Sequence, residues 1–129
     1  MNGFAIEFNT FTILARCPRS GALGVATATG EMAVGSRVPF VKAGVGAIAT
    51  QALTDPRLGA AGLVMLAEGL TAAEVLARLT ESDPHIEYRQ LGIVDAQGRT
   101  GARTGNENSN WKGHHLGDQF VAMGNRLTS

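Results

Sequence analysis

Thr10-Phe11-Thr12-Ile13-Leu14-Ala15-Arg16 is an apolar run rich in β-branched residues, and it predicts a β-strand. The turn-forming residues Pro18-Arg19-Ser20-Gly21 follow it, and Ala22–Thr29 (ALGVATAT) is again small and β-branched. Because proline, serine and glycine favour a tight reversal, the two runs are predicted to pair antiparallel. Upstream, Phe4–Phe8 is mostly apolar, so the chain has a strand-rich start.

The next segments continue the strand pattern. Ala43–Ala52, AGVGAIATQA, is apolar until Thr50 and Gln51 and predicts a strand that is buried on both faces. The preceding segment, Glu31–Phe40, is irregular in pattern and contains two turn-forming residues and a proline. A buried Gln51 needs hydrogen-bond partners, and both a structural amide and a substrate contact remain open for it.

Two helices are predicted after these strands. Asp55-Pro56 predicts a helix start, since aspartate caps helices and proline suits the first turn; this helix ends near Gly69. Thr71-Ala72-Ala73-Glu74 is a capping box that opens the second helix, which Asp83-Pro84 closes.

The remaining chain predicts more strands. Arg89–Asp95 and Arg99–Thr104 form a predicted hairpin, Gly105–Gly117 a polar loop and Gln119–Leu127 a final strand. Strands, two helices and further strands predict an α+β fold, with the helices on one side of a largely antiparallel sheet. The other face of the later strands then has no cover, so we expect a second chain or another copy to supply it.

Composition and charge exclude several classes of protein. The 129 residues suit one domain, and 11 Lys+Arg balance 11 Asp+Glu, so no electrostatic footprint for nucleic acid or an anionic membrane exists. No apolar stretch is long enough to span a membrane, and the N-terminus has no secretory pattern. The lone Cys17 excludes an internal disulfide and fits a reducing compartment, so a cytoplasmic location is predicted.

Two residues are candidate nucleophiles. A threonine that is first in its chain can attack with its hydroxyl while its own α-amine, with an ordinary pKa of about 7.7–8.0, takes the proton. Thr10 has this position at the head of a strand, once Met1–Asn9 is regarded as an N-terminal extension of a domain over residues 10–129. Cys17, beside a proline turn, is the alternative nucleophile, although a small residue at a strand end is the favoured interpretation of it.

Metal and cofactor sites are not predicted. His85, His114 and His115 are the only histidines, and neither Cys-x-x-Cys nor His-x-x-x-His spacing occurs. His114 and His115 are adjacent, so they point to opposite sides of an extended chain. No phosphate-binding loop occurs, and the glycines of Gly44-Val45-Gly46 lack the strand–helix context of a dinucleotide fingerprint.

Taken together, these segments resemble the DUF1028 family. The match runs in order over nearly the whole chain from Thr10 onward. The matching segments are Thr10–Arg16, Gly21–Ala26, Ala33–Ser36, Val38-Pro39, Ala43–Ala52, Asp55-Pro56, Gly62-Leu63, Arg89–Asp95, Gly98-Arg99, Thr104-Gly105, Gly113-His114 and Gly124-Asn125.

The resemblance implies a fold and a chemistry. The family is placed with the Ntn (N-terminal nucleophile) hydrolases, which implies a four-layer αββα sandwich and hydrolysis of an amide, lactam or ureido C–N bond of a small molecule. Thr10 matches the nucleophile. Gln51, Asp95, His114 and Asn125 match motif positions and are the expected substrate-binding residues, with Asn125 a candidate oxyanion donor.

Two departures from the family pattern shape the expectation. Family chains begin almost directly with the threonine, whereas Met1–Asn9 precedes it here, and they continue past the final Gly-Asn into further helices. The resemblance therefore implies one subunit of a self-cleaved or split enzyme, an oligomer whose sandwich is incomplete until a second chain or copy completes it. The nucleophile is then Thr10 or a residue of that second chain. A cleaved or split protein is the simplest account, and a truncated piece is the alternative to it. A non-catalytic metabolite-binding or assembly protein is the alternative function.

Overall fold

The computed structural model of the protein describes residues 9–109 and 111–128. Helix α1 spans Pro56–Ala67 and helix α2 spans Ala72–Ser82. The strands are β1 (Thr10–Arg16), β2 (Leu23–Ala28), β3 (Pro39–Lys42), β4 (Gly46–Ala52), β5 (Arg89–Asp95), β6 (Thr100–Thr104), β7 (Gly113–Gly117) and β8 (Phe120–Asn125). Residues 1–8 of the predicted N-terminal extension, and with them the strand pattern at Phe4–Phe8, lie outside the described residues.

The strands form two four-stranded sheets, in the orders β2-β1-β8-β7 and β3-β4-β5-β6. Every pairing is antiparallel. Mixed α/β architecture with two helices and two antiparallel sheets is therefore confirmed. The single sheet predicted from the strand order is wrong, because β1 pairs with β8 from the far end of the chain as well as with β2.

The helices begin where their caps predict and cover one face of the β3-β4-β5-β6 sheet. Asp55 accepts a hydrogen bond from the backbone N–H of Arg57, and Thr71 and Glu74 form the predicted capping box. Both helices bury apolar residues against this sheet. The core members are Ile48, Leu58, Leu66, Ala72, Val75, Leu79, Ile86, Leu91 and Ile93.

A second core lies between the two sheets. Alternate residues of each strand face inward, and Leu14, Ala47, Val94 and Val121 meet there with no exposed surface. Gly92 allows the close approach, since a Cβ at this position would lie 2.9 Å from Leu14 Cδ2.

Three strand predictions need correction. The predicted loop Gly105–Gly117 contains β7, which pairs with β8, and the irregular segment Glu31–Phe40 runs into β3, which pairs with β4. Short edge strands of this kind depend on their partner strand rather than on their own sequence pattern. The strand predicted from Ala43 begins at Gly46 instead, because residues 43–45 form a turn that Gly44, at φ 72°, enables.

The outer face of the β2-β1-β8-β7 sheet carries exposed apolar side chains. Phe11 is 57% exposed and Ile13 47%. No helix of the described residues covers this face. The sequence pattern predicts an uncovered face on the later strands. β7 and β8 lie in this sheet, whereas β5 and β6 lie in the helix-covered sheet. Neither α1 nor α2, the two α-helices of the described residues, is long and apolar enough to cross a membrane.

Candidate active site

A cavity of about 460 Å³ lies at one end of the two sheets, where β1 begins and β4 and β8 end. Thr10, Gln51 and Asn125 line it, as does Thr29, which follows β2. These four side chains come from distant parts of the sequence. Antiparallel pairing brings Thr10, Thr29 and Asn125 together, because β1 begins where β2 and β8 end. Packing of the two sheets against each other adds Gln51 from the end of β4. The volume suits a small molecule.

Thr10 lies between two polar neighbours. On one side it pairs with Asn125 in the β1–β8 ladder. On the other side its Oγ1 lies 2.8 Å from Thr29 Oγ1, which also accepts a hydrogen bond from the backbone N–H of Glu31. The hydroxyl is thus held at the cavity wall by hydrogen bonding, and it remains partly accessible.

Beneath Thr10, the core between the sheets changes from apolar to polar. Thr12, Gln51, Gln90 and Asn125 face inward here and are all at most 3% exposed. Thr12 Oγ1 donates to Gln51 Oε1 over 2.5 Å, Gln51 Nε2 donates to Gln90 Oε1 over 2.7 Å, and Asn125 Nδ2 donates to the same oxygen over 3.1 Å. A connected set of buried polar side chains therefore lies beneath the cavity, and Gln51 and Asn125 are the members that line it.

Gln90 also bonds to groups on its other side. Its Nε2 lies 2.9 Å from Thr104 Oγ1 and from the carbonyl oxygens of Gly113 and Gly124. Thr104 Oγ1 in turn lies 2.9 Å from His114 Nδ1. The polar network hence extends from the cavity floor to the edge of the outer sheet.

Charged side chains surround the cavity mouth. Glu31, Arg37, Glu107 and Arg126 line it, and none of the four makes a salt bridge to another described residue. Arg126 has a φ of 51°, in the left-handed region that residues other than glycine avoid. Such backbone strain costs about 1–3 kcal/mol and is concentrated at ligand sites in proteins.

An ion pair holds the wall formed by the β4–α1 loop. Arg89 donates from Nε to Asp83 over 2.8 Å and from Nη1 to the carbonyl oxygen of Leu53, which lines the cavity. Burial of Asp83 opposes its charged form, but the hydrogen bonds from Arg89 and from the backbone of His85 outweigh it and hold its pKa below the usual value. Ala52, next in the wall, has a φ of 69°.

The structure brings Thr10, Gln51 and Asn125 together but leaves two other predicted site residues elsewhere. Asp95 lies at the opposite end of β5, where it accepts hydrogen bonds from the backbone N–H groups of Ala72, Gln97 and Arg99 and from the Arg99 side chain. That contact set gives Asp95 a structural role in joining α2 to the β5–β6 turn.

The two neighbouring histidines lie on the outer sheet. His114 contacts Thr104 and lines a groove of about 620 Å³ on the uncovered face, not the cavity at Thr10. His115 also lines this groove and packs against Phe120, with ring centroids 6.0 Å apart. Within residues 9–109 and 111–128, no group of three His, Cys, Asp or Glu side chains is placed to hold a metal ion.

Three polar residues of the site do not stand out in the sequence. Thr29 falls at the end of a predicted strand, Thr12 reads as an ordinary strand residue and Gln90 as part of a hairpin. Gln90 could have been found from its position near the start of a buried strand, where a polar amide is unusual. In the structure it is the direct partner of Gln51 in the β4–β5 ladder.

Comparison with models of known protein families shows which family this chain belongs to. Residues 10–129 match the model of a family of unknown function, DUF1028. The chain belongs to the DUF1028 family. The match begins at Thr10, so the segment resemblance seen in the sequence is confirmed at the level of this family.

A solved DUF1028 structure agrees with the fold described above. It is the crystal structure of protein SPO2555 from Silicibacter pomeroyi, with 35% sequence identity to this chain and a TM-score of 0.89. The alignment covers 94% of this chain and 56% of that one, so the chain spans little more than half the length of this DUF1028 relative. Among proteins with curated descriptions, none matches.

Proposed function

We propose that this DUF1028 chain is part of an Ntn-type amidohydrolase that cleaves a C–N bond of a small amide, lactam or ureido compound. The observation that carries the proposal is the position of Thr10. Its hydroxyl lies at the wall of a small-molecule cavity, bonded to Thr29 and placed above the buried amides Gln51 and Asn125. A nucleophile on a strand end with rigid polar neighbours is the arrangement that acyl transfer needs.

In the proposed reaction the Asn9–Thr10 bond is first cleaved, and Thr10 becomes the first residue of the mature chain. The Thr10 hydroxyl then attacks the substrate carbonyl carbon while its α-amine takes the proton. The C–N bond breaks as the leaving nitrogen receives that proton, and water hydrolyses the resulting acyl ester. Thr29 orients the hydroxyl, and Asn125 offers an amide N–H to the developing oxyanion.

The exposed outer sheet supports a second part of the proposal. Phe11, Ile13 and Trp111 expose 47–63% of their surface around the groove of about 620 Å³. Contiguous apolar surface of this kind marks an interaction site. We propose that helices of a second chain or copy cover this face, which completes an αββα sandwich and makes the working enzyme an oligomer in the cytoplasm. In a split enzyme, that second chain carries the nucleophile instead of Thr10.

The proposal is tested by mass and by turnover. Intact-mass measurement of purified protein should show a chain that begins at Thr10, and a panel of small amides, lactams and ureido compounds should release amine or ammonia. The Thr10→Ala variant should lose this release, whereas Thr80→Ala, on α2 and away from the cavity, should keep it. Full turnover by Thr10→Ala, with the uncleaved chain alone in the sample, would contradict the role of Thr10.

The proposed second chain or copy that covers the outer face of the β2-β1-β8-β7 sheet is tested separately. Sedimentation should show a complex larger than the single chain, and Ile13→Lys should dissociate it. A second polypeptide that co-purifies and carries the activity in the presence of Thr10→Ala would support the split form. A non-catalytic metabolite-binding protein is the alternative, and saturable binding of small amides with no turnover in any variant would favour it.

A further inference from the structure

We propose that Gln90 is a positioning residue that fixes the orientation of the two amides lining the cavity, Gln51 and Asn125. The inference rests on the proposed function, since it takes the cavity as the place where an amide binds. Gln90 itself has no exposed surface and does not line the cavity. It therefore acts through the two residues that do.

The orientation of the Gln90 amide follows from its neighbours. The carbonyl oxygens of Gly113 and Gly124, each 2.9 Å away, can only accept hydrogen bonds, so the group that faces them must be the Gln90 NH₂. Gln90 Oε1 is then directed to the opposite side, towards Gln51 and Asn125. Two backbone carbonyls of the outer sheet hence determine which way this side chain points.

The orientation of the Gln90 amide in turn determines that of the two cavity residues, Gln51 and Asn125. Because Gln90 Oε1 only accepts, both Gln51 and Asn125 must turn their NH₂ groups towards it. Gln51 Oε1 consequently accepts from Thr12. Asn125 retains its Oδ1 and one Nδ2–H, and its carboxamide lies at the cavity wall. Asn125 thus presents an acceptor beside a donor. Its Oδ1 can accept from the N–H, and its Nδ2–H can donate to the C=O, of a carboxamide, lactam or ureide.

Packing alone does not account for this network. The rest of the layer between the sheets is apolar, with Leu14, Val94 and Val121 fully buried. Apolar residues of similar shape fill such a volume without requiring every donor and acceptor to be matched, and replacement of whole polar networks in this way is often neutral or stabilising. Three buried amides at the cavity end are therefore explained by what they present to the cavity.

The test uses the side-chain amide signals of ¹⁵N-labelled protein. In Gln90→Met, which keeps the length but removes the acceptor, the NH₂ protons of Gln51 and Asn125 should exchange with deuterium at least about tenfold faster. The matched control is Leu91→Met, the next residue of the same strand, whose side chain faces the helices. It should leave both signals unchanged.

Propionamide is the ligand probe. Titration should shift the Asn125 side-chain signal saturably in the unmodified protein and in Leu91→Met, and bind at least about tenfold more weakly to Gln90→Met, a loss of about 1.4 kcal/mol. A merely structural Gln90 would lower stability without this selective loss. Unchanged exchange and unchanged propionamide affinity in a folded Gln90→Met would overturn the assignment.

A measurement on the unmodified protein covers the case in which Gln90→Met does not fold. Nuclear Overhauser contacts should connect the Gln90 NH₂ protons to Gly113 and Gly124, and contacts that place this NH₂ beside Asn125 instead would overturn the assignment. Since propionamide binding needs no turnover, a lack of hydrolysis counts against the proposed reaction and not against the role of Gln90.

Discussion

The hydroxyl of Thr12 donates a hydrogen bond to Gln51 Oε1 over 2.5 Å, and this bond joins the two sheets, since Thr12 belongs to β1 and Gln51 to β4. It lies where the apolar core between the sheets ends and the polar floor of the cavity begins. At this end the sheets are held by matched donors and acceptors, so loss of one group leaves another buried and unpaired.

Thr12→Val is expected to destabilise the protein by about 1–3 kcal/mol, because valine keeps the shape but leaves the Gln51 oxygen without its donor. The free energy of unfolding in urea measures the effect. Thr100→Val, on β6 and partly exposed, is the matched control and should change stability by less than about 0.5 kcal/mol. Equal values for the two variants would show that the bond between the sheets contributes nothing.

Gly92→Ala tests the close packing of the two sheets. A Cβ at Gly92 would lie 2.9 Å from Leu14 Cδ2 and 3.2 Å from Val121 Cγ1, so we expect a loss of about 1–3 kcal/mol from overpacking. Gly24→Ala on β2 is the control, because a Cβ there would have no neighbouring atom within 4 Å. If thermal unfolding shows the same midpoint for both variants, the close approach of the sheets at Gly92 is contradicted.

Local signals in the sequence sufficed for the helices. The Asp55 cap and the Thr71–Glu74 capping box involve residues two or three apart, so their hydrogen bonds are visible from spacing alone. The division into two sheets was not visible, because it depends on the β1–β8 pairing between residues more than 100 positions apart in the sequence.

The residues of the candidate site were likewise only partly predictable from the sequence. Thr10, Gln51 and Asn125 were identified from residue type and family resemblance, and the fold brings them to one cavity. Asp95 and His114 matched family positions equally well, yet the fold places them elsewhere, because sequence position does not tell which end of a strand meets the cavity. Gln90 was missed since its importance comes from three-dimensional contacts alone.

Cys17 provides a test away from the cavity, at the end of β1 opposite to Thr10. A hydrogen bond from the Ser20 side chain, with further bonds from the backbone of Ser20 and Arg19, lowers the pKa of the Cys17 thiol to about 7. Alkylation by iodoacetamide should therefore reach half its maximal rate near pH 7. Ser20→Ala should move this midpoint upward, and Ser36→Ala should not.

The same residue discriminates between two enzyme mechanisms. Since Cys17 is outside the cavity, Cys17→Ala should leave any hydrolysis of small amides unchanged. Loss of turnover in Cys17→Ala, with Thr10→Ala fully active, would favour a thiol nucleophile over the threonine.

Asp55 gives a prediction for acid conditions. The Arg57 side chain forms a hydrogen bond and ion pair with Asp55, which lowers the pKa of that carboxyl from 3.8 to about 2. A carboxyl whose pKa is lower in the folded state stabilises the fold above its unfolded pKa, and this contribution disappears as the pH falls through the folded value. Asp55→Asn keeps an N-cap residue but lacks the charge. The stability difference between the unmodified protein and Asp55→Asn should hence be largest above pH 4 and nearly absent at pH 2.

Asp55→Ala separates the charge of this residue from its role as a helix cap, because alanine removes both. It should lose about a further 1 kcal/mol with the cap. Urea unfolding at several pH values measures all three proteins, with Asp118→Asn, outside any helix, as the control. A difference between the unmodified protein and Asp55→Asn that stays constant from pH 7 to pH 2 would contradict the role of the Arg57–Asp55 pair, since only the charged carboxylate attracts the guanidinium.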